Sequence, residues 1–242
     1  MGNKQKEGIS ELGGKRGQIL RTLLKSLGSK GIPSITMRGL AKDAGVATKT
    51  IYNLFGSKDA LISEIIRHTY RERMALIKEA NADIDAFEQL TKFVLASAQF
   101  NVAEAEYSHA VVYAYYSADE SLGSFHHDMH DYIGGELSNL LEDMKSKGEL
   151  ESWSSPKVIA RQIIESMISS AAEWTIRSLS DEEFIDVTLV NVLTILYVHL
   201  TSHESEVKAN IKLLNKKLEQ NKKRVKKAPG KNSKPSNITM PI

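Results

Sequence analysis

Apolar side chains recur at helical spacing along most of the chain, whereas segments in which apolar and polar residues alternate are scarce. The pattern predicts an amphipathic helix over 205–226 and five earlier helices at approximately 84–101, 104–117, 121–147, 156–179 and 182–201. A further long helix is expected after Ser57. Because no internal repeat accompanies these segments, the sequence predicts an all-α protein with an irregular helical bundle and argues against a solenoid.

Residues 36–61 contain two short predicted helices joined by a tight turn. Ala41 offers a small side chain where the two helices approach, and Gly45 suits the left-handed backbone of the turn. Both helices can bury one face in a common core through Leu40, Ala44, Val46, Ile51 and Leu54. The spacing predicts a helix-turn-helix with a recognition helix at 47–55.

Polar side chains of this segment fall on or near the exposed side of the recognition helix. Hydroxyl, ammonium and amide groups there can meet base edges and phosphates. Thr36 and Ser57 are expected to cap the helices that follow them, and Lys58 is expected to position a phosphate. The predicted DNA contacts are Thr36, Arg38, Thr48, Lys49, Thr50, Tyr52, Asn53 and Lys58.

Residues 15–61 resemble the N-terminal DNA-binding domain of the TetR family of bacterial regulators. The resemblance rests on RGQILRTLLKSLGSKG, TMRGLAKDAGV, TIYNLF and GSKDAL in the family's order and spacing, which is about a fifth of the chain. It implies a homodimeric repressor that a small-molecule effector releases from a double-stranded DNA operator. It also implies an N-terminal three-helix domain joined to a larger helical effector-binding and dimerisation domain.

Three residues depart from the family's pattern. Gly39 stands inside the first helix of the pair in place of a larger residue, at an expected cost of up to about 1 kcal/mol of helix propensity. Leu54 replaces a frequent aromatic residue or histidine. Ala47 stands where a serine or threonine often caps the recognition helix, so Thr48 is the expected replacement cap.

Charge is segregated along the chain. Residues 1–60 contain eleven Lys or Arg and four Asp or Glu. Residues 61–204 contain ten and twenty-four, and residues 205–242 contain eleven and two. A basic N-terminal segment fits a polyanionic partner, whereas an acidic middle segment should face away from DNA. We therefore divide the chain into a DNA-binding domain (1–60), an effector and dimerisation domain (61–204) and a basic extension (205–242).

The basic extension is expected to be partly helical and then disordered, because its last residues combine charge repulsion with Pro and Gly. It is either a solvated tail or an electrostatic arm that raises affinity for DNA. The absence of cysteine excludes disulfides and thiolate chemistry. Without a secretory signal or a membrane-length apolar run, the sequence favours a soluble cytoplasmic protein with no membrane partner and no cofactor.

Residues 187–200 are apolar around much of a predicted helix and therefore need cover on more than one side. This segment and residues 155–176 are predicted to form a four-helix interface in a homodimer. The alternative is that residues 187–200 form a central core helix of the single chain. An apolar or aromatic effector could be surrounded by large side chains, although ordinary core packing is the alternative for each. The candidates are Phe100, Tyr107, Tyr113, Met129, Met167 and Trp174, with Tyr115 and Tyr116 nearby in sequence.

His126 and His130 lie four residues apart on a predicted helix, a spacing that can point two imidazoles at one metal ion. His127 and Asp128 should face elsewhere and no third ligand is evident, so the sequence favours a solvated or core-edge cluster. No serine or carboxylate arrangement for catalysis accompanies these histidines, so no enzyme is expected. A metal-binding protein or an enzyme is a remote alternative, and a transcriptional activator or global regulator is a closer one.

Overall fold

A computed structural model describes residues 13–30, 34–58, 60–66, 68–69, 84–116, 125–176 and 178–227. Within these ranges the regular structure is helical, which confirms the all-α prediction, and residues 60–66 form an additional helical segment. The helices are α1 (Gly14–Lys30), α2 (Met37–Asp43), α3 (Thr48–Phe55), α4 (Ala86–Ala103), α5 (Ala105–Tyr116), α6 (Phe125–Ser146), α7 (Pro156–Thr175), α8 (Asp181–Tyr197) and α9 (Glu204–Lys227).

By packing, the described residues divide into two compact units. The first contains the described residues up to 69 together with Phe100–Ile133, and the second contains Ile84–Gln99 and the described residues from Gly134 onward. These units are defined by spatial contacts and not by continuous stretches of sequence. The predicted domains at 1–60, 61–204 and 205–242 therefore stay predictions. Residues 70–83 and 228–242, which include most of the predicted helix after Ser57 and the end of the basic extension, lie outside the described residues.

The first unit is organised around α1, whose apolar residues form one buried stripe. Ile19, Leu20, Leu23 and Leu27 are all buried, and their spacing of three and four residues places them on one helical face. Helix α1 packs against α2 and α5, and α2 packs against α3. This arrangement confirms the predicted N-terminal three-helix domain.

In the second unit, α8 packs against both α7 and α9. A capping box starts α8: the Ser180 hydroxyl accepts the backbone N–H of Glu183, and the Glu183 carboxylate accepts the backbone N–H of Ser180 at 3.0 Å. The indole of Trp174 on α7 stacks on Phe184 of α8, with ring centroids 4.9 Å apart. Local caps and an aromatic contact therefore fix how α7 leads into α8.

Two predicted helix ends were wrong. Helix α7 ends at Thr175 instead of 179, because Ser180 already caps the next helix. Helix α8 ends at Tyr197 instead of 201, because the chain turns there and Leu200 forms an isolated antiparallel bridge with Leu150. Backbone hydrogen bonds on either side of the bridge hold this connection in place.

The predicted helix at 205–226 is confirmed as α9, which docks on α8. Val207 is buried, and the Lys217 ammonium lies 2.8 Å from Asp186 and 2.9 Å from Glu182. Hydrogen bonds to Asp186 and Glu182 raise the pKa of Lys217. None of the described helices is long and apolar enough to cross a membrane.

Candidate nucleic-acid interface

Helix α2 and the turn after it form as the residue types predict. The Thr36 hydroxyl accepts the backbone N–H of Gly39 at 3.0 Å, which confirms Thr36 as the cap of α2. Gly45 has a φ of 62°, in the left-handed region that glycine enters without strain. The Val46 N–H then donates to the Ala41 carbonyl at 2.9 Å and closes the turn.

Helix α3 starts without a side-chain cap. Ala47 occupies the cap position and Thr48 is the first helical residue, so the expectation that Thr48 caps the helix was wrong. The backbone at Ala47 is already extended, which leaves Thr48 inside the first turn. The first N–H groups of α3 therefore donate to no side chain at the cap position, and a phosphate oxygen could accept from them instead.

One face of α3 is buried and the opposite face is polar and exposed. Ile51 and Phe55 are buried, whereas Lys49, Tyr52 and Asn53 are exposed at spacings of three and four residues. Thr36 and Arg38 are also exposed, and Thr48, Thr50 and Lys58 are half-buried. The predicted contact residues thus include a compact exposed set on α3, and their role in binding DNA stays a prediction.

Phe55 is a core residue of α3 that was not predicted, and Leu54 was predicted to be buried in its place. Phe55 is buried, whereas Leu54 is only half-buried. The sequence does contain the signal for this burial, because Phe55 follows Ile51 by four residues and therefore lies on the same face of the helix. The Arg16 guanidinium lies over the Phe55 ring, 4.7 Å from its centroid.

Two side chains of α1 stabilise the C-terminal ends of both helices of the motif. Arg16 donates through Nη1 to the Leu54 carbonyl at 2.9 Å and pairs through Nε and Nη2 with the Glu64 carboxylate. Gln18 donates through Nε2 to the Ala44 carbonyl at 2.8 Å. The last carbonyls of a helix lack backbone partners and carry partial negative charge, so these donors hold α2 and α3 in place.

The helical segment after α3 begins as predicted. The Ser57 hydroxyl accepts the backbone N–H of Ala60 at 3.0 Å, which confirms Ser57 as its cap. Lys58 follows this cap directly. A cation next to N–H groups at a helix start suits a phosphate, and the positioning role of Lys58 stays a prediction.

The candidate effector residues are distributed over both units. In the first unit, Phe100 and Tyr107 meet edge to face with ring centroids 5.9 Å apart. Tyr107 and Met129 are buried and Tyr113 is half-buried. Their membership of an effector site stays a prediction.

In the second unit, Met167 is half-buried and Trp174 is buried. The Trp174 indole N–H donates to Asp181 at 2.8 Å, and its ring stacks on Phe184. These contacts are what a packed core tryptophan makes. They give Trp174 a structural role whether or not it also meets an effector.

A groove of about 910 Å³ runs along the exposed face of α7 and α8. Val158 and Val198 line it and are 54% and 59% exposed. Its other lining residues are Lys157, Arg161, Gln162, Glu165, Thr194, Ile195 and His199. Burial lowers the pKa of His199, and the exposed Trp153 ring lies 4.8 Å from the His199 ring.

Residues 19–65 match the family described as "Bacterial regulatory proteins, tetR family". The chain is 30% identical over 90 residues to the HTH-type transcriptional regulator BetI of Brucella suis biovar 1 (strain 1330), which covers 36% of this chain and 46% of BetI. It is 31% identical over 70 residues to BetI of Burkholderia ambifaria (strain MC40-6), covering 29% of this chain and 35% of that protein. The match thus spans less than half the length of these curated relatives.

Solved structures share the fold over most of the chain. Thermus thermophilus FadR, a TetR-family transcriptional repressor in complex with lauroyl-CoA, superposes with a TM-score of 0.61 at 18% identity, covering 74% of this chain and 93% of FadR. The fatty acid degradation regulator FadR from Bacillus halodurans gives a TM-score of 0.59 at 19% identity, covering 75% and 96%. Residues 19–65 therefore match the tetR family of bacterial regulatory proteins, and the chain shares its fold with solved TetR-family regulators.

Proposed function

We propose that this protein is a ligand-responsive DNA-binding regulator of transcription, and specifically a repressor that a small molecule releases from its operator. The observation that carries the proposal is the two-sided character of α3. Its buried Ile51 and Phe55 hold it in the first unit, while Lys49, Tyr52 and Asn53 form an exposed polar face. Such a helix fits the major groove of duplex DNA.

The exposed residues divide into two kinds of DNA contact. Lys49 and Asn53 carry an ammonium and an amide that can bond to guanine and adenine edges, with Thr48, Thr50 and Tyr52 beside them. Thr36, Arg38 and Lys58 lie at or near helix starts, where phosphate contacts are favoured. Base contacts would select the operator, and phosphate contacts would fix the position of α3 on it.

We further propose that the regulator acts as a homodimer in the cytoplasm, with the α7 and α8 face as its interface. The groove and the exposed Val158 and Val198 support this assignment, because large apolar groups exposed on one face mark interaction sites. Paired half-sites about 34–36 Å apart also require two recognition helices related by two-fold symmetry. An effector that changes the separation of these helices would release DNA.

An apolar or aromatic small molecule is the proposed effector, because large apolar side chains are the groups predicted to bind it. Phe100, Tyr107, Tyr113 and Met129 of the first unit suit such a ligand. Met167 and Trp174 of the second unit are predicted contacts of the same apolar kind. The lauroyl-CoA bound by Thermus thermophilus FadR is an apolar acyl chain on a polar carrier. That ligand supports the apolar class for a protein of the same fold.

The decisive experiment measures operator selection. The genomic DNA bound by the full-length protein is mapped, and the affinity for the strongest fragment is compared with that for scrambled DNA. Lys49→Ala and Asn53→Ala should each reduce discrimination by about 1–3 kcal/mol, or roughly 5- to 150-fold. Lys58→Ala should weaken both affinities alike, because phosphates carry no sequence information.

Lys25→Ala provides a matched control, since Lys25 is exposed on α1 and should leave discrimination unchanged. If wild-type protein prefers no genomic fragment even at low salt, the proposed function is wrong. If it prefers one but the α3 variants discriminate like wild type, the proposed contact face is wrong.

A further inference from the structure

His126 and His130 are one turn apart on α6, and the structure brings their rings together. The ring centroids lie 4.7 Å apart, and one ring nitrogen of each residue lies within 4.8 Å of the other. Two imidazole nitrogens on one tetrahedral ion, each about 2.0–2.1 Å from it, are roughly 3.4 Å apart. A small rotation about the side-chain bonds would therefore let both nitrogens reach a single ion.

A third polar group converges on this pair from α5. The Tyr115 hydroxyl lies 2.8 Å from Nε2 of His130, and the Tyr115 ring lies 4.5 Å from the His126 ring. Tyr115 is buried, so packing holds its position. When Nε2–H of His130 donates to the Tyr115 oxygen, Nδ1 of His130 is left to bind a metal, and an outer partner of this kind orients the ring and raises its basicity. The contact of Tyr115 with the two histidines could not be predicted from sequence spacing, because Tyr115 lies on a different helix.

The cluster is closed on one side and open on the other. Tyr115 is buried, His130 is half-buried and His126 is exposed, so an ion can enter from solvent and meet donors held from within. His127 does not join the cluster. Its Nε2 lies 3.3 Å from the Asp131 carboxylate, and both of those side chains are largely exposed.

We propose that His126 and His130, oriented by the Tyr115 hydroxyl, bind a divalent transition-metal ion. Imidazole nitrogen suits Zn²⁺, Ni²⁺ and Cu²⁺, whereas Mg²⁺ and Ca²⁺ prefer oxygen ligands. Water would complete the coordination on the exposed side. The site uses none of the proposed DNA contacts, so it can be tested without an operator.

The test uses the untagged full-length protein, stripped of metal and titrated with ZnCl₂ or NiCl₂ in a calorimeter. MgCl₂ should give no binding at the same concentrations. His126→Gln and His130→Gln should each weaken the tightest Zn²⁺ site by about 100-fold, because each removes a ligand. Tyr115→Phe removes only the hydroxyl and should weaken binding by about tenfold, as loss of an outer partner does.

His127→Gln is the matched control, because it changes the adjacent histidine on a different side of the same helix. Nuclear magnetic resonance of the imidazole nitrogens in the wild-type protein provides a readout that needs no variant. Zn²⁺ should shift the signals of His126 and His130 and leave that of His127 in place. Wild-type affinity in His126→Gln and His130→Gln, or equal shifts for all three histidines, would overturn the proposal.

Discussion

The Arg16 guanidinium connects the C-terminal end of α3 to two other parts of the first unit. It bonds to the Leu54 carbonyl, pairs with Glu64 and lies over the Phe55 ring. Its side chain is 47% exposed, so water screens the ion pair and limits its contribution. Its principal effect is to hold the end of α3 in position, because a planar guanidinium directs its N–H donors along several fixed directions and an ammonium does not.

Arg16→Gln should therefore destabilise the first unit by about 1 kcal/mol, and Glu64→Gln by less, because Glu64→Gln leaves the bond to Leu54 intact. Urea unfolding measures both changes. Arg16→Lys should keep the charge and still lose operator affinity, because the end of α3 is less well fixed. Lys15→Gln changes an exposed neighbour on α1 and serves as the control. Full operator affinity in Arg16→Lys would show that the planar contact does not position α3.

Gly39 and Thr36 are linked by a steric conflict that glycine avoids. A Cβ on Gly39 would lie 2.9 Å from Oγ1 of Thr36, the atom that accepts the Gly39 N–H. Alanine inside a helix gains about 1 kcal/mol of propensity over glycine, and loss of a threonine cap costs about 1 kcal/mol. Gly39→Ala alone should therefore change stability little, whereas in the Thr36→Ala background it should stabilise by about 1 kcal/mol.

Urea unfolding of the wild type, the two single variants and the double variant measures this coupling. Gly135→Ala on α6 is the control, because a Cβ there meets nothing within 4 Å. That variant should simply gain helix propensity. Equal effects of Gly39→Ala with and without Thr36 would show that the cap tolerates the added carbon.

At the scale of whole helices, the sequence predicted the features that depend on residues close together in the chain. Apolar spacing located the helices, and the caps at Thr36 and Ser57 placed the starts of two of them. The end of α8 could not be predicted, because it depends on the pairing of Leu200 with Leu150, fifty positions earlier. The contact of Arg16 with Glu64 was missed for the same reason, since no periodicity signals a partner 48 residues away. In the candidate DNA site, the helical spacing of apolar residues predicted which face of α3 is exposed. That α3 starts without a side-chain cap could be seen only from the backbone conformation at Ala47.

A buried carboxylate of α8, that of Asp186, pairs with Lys217 of α9. The Asp186 side chain is 8% exposed and its partner Lys217 is 43% exposed. Lys217→Ala would leave Asp186 buried without its cation, although water can partly replace the exposed ammonium. We expect a loss of roughly 1 kcal/mol, measured by urea unfolding. Lys212→Ala, at an exposed position of α9, should have no such effect, and an equal loss there would contradict this account.

The same pair predicts a pH dependence. Because the folded state raises the pKa of Lys217, its stabilising contribution is complete below the unfolded pKa of about 10.5. The contribution is lost as the pH rises through the raised pKa, so it is unchanged across the neutral range. The difference in stability between wild type and Lys217→Ala should accordingly stay constant across the neutral range and shrink in alkaline solution.

For the whole molecule, the proposed regulator depends on two copies acting together. A single recognition helix offers few base contacts, and symmetry doubles them only if the two copies are held at a fixed separation. The α7 and α8 face is the proposed source of that constraint, because Val158 and Val198 are exposed on it in the single chain. A charge placed on this face would be desolvated in a dimer but would remain hydrated in a monomer.

Val158→Glu and Val198→Glu should therefore dissociate the dimer without lowering the stability of the monomer. Analytical ultracentrifugation measures the assembly, and operator affinity should fall with it because the second half-site is lost. Leu213→Glu is the matched control, since Leu213 is 66% exposed on α9 and does not line the groove. If both valine variants remain dimeric, the interface lies elsewhere. If they become monomeric and still bind the operator at full affinity, paired half-sites are not what this protein recognises, because a symmetric reader loses half of its contacts when its partner leaves.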